Sequence, residues 1–140
     1  MSELLSTSVK SKMLGGASLL VYSKCIEQEC PEILREFSNG RVPLGVCMEL
    51  IHMNKVGFKI LSIVKLSGIR ELVILTVDGS PHCIQLHFIG EHIKRVLDER
   101  TPIMHYVIEK GKVFEISTEV IRLARHLSKC AELLGGGCNA

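Results

Sequence analysis

No stretch of this 140-residue sequence approaches the roughly 20 apolar residues that a membrane-spanning helix needs. Neither sign of charge is in excess. Seventeen Lys and Arg face fifteen Asp and Glu, a formal charge of +2, with cations scattered among acids. A nucleic-acid partner is therefore not expected, because phosphate binding needs massed basic residues. Met1–Lys12 places its lysines after its apolar pair, not before an apolar core, so a secretory signal is not expected either. The usual phosphate loops and the hydrolase elbow are also missing. There is no Gly-x-Gly-x-x-Gly, no Gly-x4-Gly-Lys-Ser/Thr and no Gly-x-Ser-x-Gly. No Cys-x-x-Cys pair exists, so common zinc spacings are absent.

What is there describes a single globular domain. The sequence is 46% hydrophobic and 23% charged, enough to build one sizeable core. A cytoplasmic location with no membrane partner is expected. Six cysteines in 140 residues are too sparse for a disulfide-built mini-protein. In a reducing compartment they are expected to bind metal, react or pack.

Residues 1–15 have no sustained period and read as a loose leader. Ala17–Ser23 is a short apolar run suited to a strand buried on both faces. Pro31 opens a short helix that Asn39-Gly40 stops. Val42–Cys47 reads as a second strand, and Asn54 as the cap of a helix closed by Gly68. Glu71–Val77 is the clearest strand. Ser80-Pro81 then starts a helix running to about Glu99. Ile103–Ile108 and Val113–Ile116, joined by Lys110-Gly111, form an antiparallel hairpin at the edge. Ser117 caps a last helix reaching Leu134, with Arg122, Arg125 and Lys129 on a solvated face. Strands alternating with helices predict a three-layer α/β domain over residues 16–135. Its sheet should be mostly parallel and open, flavodoxin- or Rossmann-like, with a flexible tail at 136–140.

In such sheets ligands bind beyond the carboxyl ends of the strands. Cys25 and Cys30 follow the first strand, Cys47 ends the second and Cys83 follows the third. Three parallel strands thus deliver cysteines to one edge. The opposing expectation is that small apolar cysteines simply fill the core. Cys83 falls at the third helical position after Ser80, where free N–H groups favour a thiolate. His87 and Glu91 continue its helix row, and a Cys/His pair at this spacing can chelate a metal. Four thiolates suit an iron–sulfur cluster, or zinc as the alternative. The candidate metal ligands are Cys25, Cys30, Cys47, Cys83 and His87. Ser80 and His82 are candidates for contacting the cofactor, and Asp78-Gly79-Ser80 could cradle a small anion. Cys130 and Cys138 are expected to lie outside this site.

The run Gly40-Arg41-Val42…Cys47, then Ile69–Leu75, then Gly79-Ser80-Pro81-His82-Cys83 resembles the iron–sulfur delta-subunit domain of methyl-viologen-reducing hydrogenases. The resemblance covers under half the chain. It implies a cluster carrying electrons in a larger redox assembly, with Cys25, Cys47 and Cys83 as the matching ligands. Val77-Asp78 stand where that family has another cysteine, and the Gly-Arg-Val run after its second-strand cysteine is missing.

The leading expectation is a metal centre, an iron–sulfur cluster first, transferring electrons to a redox partner protein. The alternative is a thiol enzyme or sensor with Cys83 as the catalytic thiolate, resolved by Cys47 or Cys25. A third is a non-enzymatic domain whose sheet edge and apolar helix faces form a homo-oligomer.

Overall fold

The computed structural model describes residues 2–97 and 100–136. Six strands and six helices follow in chain order: β1 (Ser2–Glu3), β2 (Ser18–Ser23), α1 (Ile26–Glu29), α2 (Pro31–Ser38), β3 (Val42–Val46), α3 (Met53–Leu66), β4 (Glu71–Val77), α4 (Ile84–Leu97), β5 (Ile103–Glu109), β6 (Lys112–Ile116), α5 (Thr118–Ala124) and α6 (Leu127–Leu133). The sheet order is β1-β3-β2-β4-β5-β6. Every pairing is parallel except β5 with β6. That edge hairpin turns on Lys110 and Gly111, both at positive φ, which matches the strand twist.

Period-two alternation splits the core into two layers. Leu19 and Val21 of β2 and Leu72 and Ile74 of β4 pack with Val56, Ile60, Leu86 and Ile93 of α3 and α4. Leu20, Tyr22, Val73 and Leu75 face the other way, against Ile26 and Leu34 of α1 and α2. All six residues of β2 are buried, as expected for a strand covered on both faces. No helix among the described residues is long and apolar enough to cross a membrane.

Three local expectations are corrected. Residues 2–15 are no loose leader. β1 joins the sheet beside β3, and Leu4 and Leu14 are fully buried in the α3–α4 layer. Their apolar positions are too irregular to show a period, yet irregular chain can still deliver side chains to a core. The cap of α3 is His52, whose Nδ1 accepts from the Asn54 N–H at 3.1 Å. The last helix is two short ones, broken at Arg125 and His126. Of the tail, residues 137–140 fall outside the described residues.

Candidate functional site at the carboxyl ends of the strands

β2 connects to β3 on one side, and the chain then crosses back to place β4 on the other. The order reverses between β2 and β4, so their carboxyl ends flank the crevice where α/β sheets hold ligands. Lys24 and Cys25 follow β2 there, and residues 78–83 follow β4. Cys47 follows β3 next door.

Partial burial pushes the Cys25 thiol up to about 11, although the residue is exposed overall. Negative charge on Cys83, and to a lesser degree on Glu29 and Cys47, pushes the same way. Cys83 and Cys47 are thus both near enough to act on Cys25. Burial and this repulsion both oppose ionisation of Cys25, which stays a protonated thiol near neutral pH. Lys24 stands on the same rim, held by Glu3 and within reach of Cys47's charge.

Ser80 Oγ accepts from the Cys83 N–H at 3.1 Å. Cys83 therefore sits in the turn that leads into α4, its residue half-buried. The other predicted site residues go elsewhere. Cys30 packs under α2 against the Leu20–Tyr22 layer and is not among the groups that shift Cys25. His82 is exposed and lines a cavity with residues 48–54. Cys130 donates to the Leu123 carbonyl oxygen at 3.2 Å, near the far end of the chain. Cys138 lies outside the described residues. Among the described residues no three His, Cys, Asp or Glu side chains form a group that could hold a metal ion. The described residues, as arranged, do not supply a ligand set for a cluster or a zinc ion.

His87 is the main departure from the sequence expectation. It does not line up with Cys83 as a ligand, because it turns beneath α4 into the protein and is 3% exposed. Its Nε2 lies 2.8 Å from Thr76 Oγ1, and its Nδ1 lies 2.9 Å from His105 Nδ1. His105 Nε2 in turn lies 2.9 Å from Glu91 Oε2. The register places these groups. Thr76 follows Ile74 by two residues, so both side chains lie on the α4 side of β4, and His105 is the cross-strand partner of Ile74 on β5. His87 and Glu91 are four apart on α4 and share a face.

Burial pulls His87 down to about 3, with His105 adding to the effect. Burial also lowers His105, opposed by Glu91 and reinforced by Lys94. Both imidazoles are therefore neutral near pH 7. With Glu91 as the carboxylate, one proton arrangement satisfies every contact. Thr76 O–H donates to His87 Nε2, His87 Nδ1–H donates to His105 Nδ1, and His105 Nε2–H donates to Glu91. The chain runs one way, from hydroxyl to carboxylate.

Gly90 makes this close approach feasible. A Cβ there would stand 2.7 Å from Ile74 Cδ1 and 2.9 Å from His105 Cε1. Thr76 and His87 also line a cavity of about 260 Å³ roofed by residues 77–81. Sequence reasoning missed Thr76 and His105, although a lone histidine within the apolar run Ile103–Ile108 was a visible signal. Ser23, the last residue of β2, is buried with its hydroxyl unpaired among the described residues.

No curated protein and no solved structure matches the chain significantly. Nothing links it to the delta subunit of methyl-viologen-reducing hydrogenases. A family model described as a Rossmann-like domain matches residues 11–135, in agreement with the parallel sheet and its order. The chain belongs to the Rossmann-like domain family.

Proposed function

We propose that this chain performs thiol redox chemistry at the crevice between β2 and β4, with Cys83 as the reacting thiol and Cys25 as its resolving partner. The observation that carries this reading is the placement of Cys25, Cys47 and Cys83 just past the carboxyl ends of β2, β3 and β4, three neighbouring parallel strands. The Cys83 thiolate attacks the outer oxygen of a hydroperoxide, giving a sulfenic acid and, after protonation, an alcohol or water. Cys25 then condenses with it, forming a disulfide and releasing one water. A dithiol partner protein returns the two electrons and two protons.

The test uses anaerobically purified protein treated with one equivalent of hydrogen peroxide, followed by non-reducing peptide mapping. A Cys25–Cys83 disulfide is expected, replaced by a trappable sulfenic acid at Cys83 in Cys25→Ser. Unmodified cysteines after oxidation overturn the proposal. Stoichiometric iron and sulfide in the purified protein would replace it with the electron-transfer centre expected from the sequence.

A further inference from the structure

Two cavities on the α3–α4 side of the domain meet at a single residue, Arg125. The first, about 610 Å³, runs between α3 and α4 and is lined by Phe58, Leu61, Phe88 and Ile93, with Arg125 at its end. Phe58 is 74% exposed, an unusual cost for an aromatic ring with no role. The second, about 640 Å³, is lined by Arg95, Arg122, Arg125 and His126. Arg95 and Arg122 come from the last turns of α4 and α5, and the break between α5 and α6 brings in Arg125 and His126.

No ion pair engages these arginines among the described residues. The carboxyl ends of α4 and α5 favour cations nearby, but each supplies only about half a negative charge. Three guanidiniums outweigh two such ends by about two positive charges. The surplus suits an anion, and the adjoining cavity suits an apolar group. One ligand that satisfies both carries an anionic head on an apolar body.

We propose that this groove binds a small amphipathic anion of the medium-chain carboxylate type. Its tail lies between Phe58, Leu61 and Phe88, and its head meets Arg125, Arg95 and Arg122. A cavity of several hundred Å³, mostly apolar with a few convergent polar groups, is the ordinary form of a small-molecule site. The guanidinium fork matches a carboxylate in two-point contact. This site is built from other residues than the cysteine crevice and stands independently of the redox reading.

Calorimetric titration of the full chain with decanoate, acetate and decanol tests it. Decanoate is expected to saturate at one per chain, with acetate and decanol weaker by about tenfold or more. Arg125→Ala and Phe58→Ser should each weaken decanoate by about tenfold while leaving the fold intact, since both residues are exposed. Absence of saturable decanoate binding overturns the proposal. So does equal binding of decanol, which would make the arginines idle, or binding unchanged in either variant. Light scattering supplies the remaining outcome. A dimer that dissociates in Phe58→Ser and ignores decanoate would assign the groove to a second copy, against the proposal.

Discussion

His87 and His105 meet Nδ1 to Nδ1 at 2.9 Å inside the protein, one on α4 and one on β5. Two imidazoles can share such a contact only if one nitrogen carries a proton and the other does not. Glu91 decides which, by accepting from the far side of His105. The helix is thereby tied to two strands through polar groups, in a layer otherwise held by Leu, Ile and Val.

Stability should fall as pH drops below about 6.5. His87 binds its proton at about 3 when folded, against an ordinary value of 6.5. The unfolded chain therefore holds more protons between those values, and stability rises with pH across the window. The contribution is complete above 6.5. Below it, each pH unit removes on the order of 1 kcal/mol for this one histidine. Urea midpoints at pH 5.0 and 7.5 give the check, and His87→Gln should flatten the difference. An equal midpoint at both values would mean His87 is not held neutral by burial.

Removing the relay's acceptor should cost more than altering it. Glu91→Leu leaves the His105 Nε2–H buried without a partner, a loss of about 1–3 kcal/mol. Glu91→Gln keeps an acceptor oxygen and should lose less. Chemical denaturation of both variants at pH 7.5 ranks them, and the reverse order would contradict the proton arrangement.

Gly90→Ala should destabilise although alanine is the better helix former. The added methyl meets Ile74 and His105 at under 3.0 Å, so α4 must move off the sheet. A loss of about 1–3 kcal/mol is expected. The His105 imidazole signals in NMR should shift with it. A neutral or stabilising effect would show that the helix is not pressed on the sheet there.

Cys25 should alkylate slowly at pH 7.5 despite being an exposed residue. Its thiol is held up to about 11 by partial burial and by negative charge on Cys83, Glu29 and Cys47. Iodoacetamide labelling followed by peptide mass spectrometry measures the rate against pH. Replacing Cys83 by Ser should speed the reaction at a given pH, since a charge that opposes ionisation is removed. An unchanged rate would separate the two cysteines and weaken the redox proposal.

Leu14→Ala should cost about 2–5 kcal/mol, as for any fully buried leucine. A change under about 0.5 kcal/mol, the scale of exposed sites, would restore the loose leader that the sequence suggested. Thermal melting resolves the two.

The alternation of apolar strands with capped helices was readable from local signals alone. Burial of Leu19 through Tyr22 on both faces demands a continuous apolar run, and Lys110-Gly111 demands a tight turn, so the three-layer sheet with its edge hairpin was legible in the sequence. The cysteines at three strand ends were legible for the same reason, since strand ends are where the local pattern stops. The packing of residues 2–15 was not legible, because Leu4 and Leu14 reach the core from irregular chain that carries no period. Nor was the relay. A helix row containing Cys83, His87 and Glu91 can face a ligand or the sheet, and spacing is identical in both cases. What turned His87 inward was the position of His105 beside Ile74, a cross-strand register fixed by pairing, together with the close approach allowed at Gly90. Local periodicity determines which residues share a face. Only packing decides what that face meets, because the partners come from segments that the chain brings together through long-range contacts.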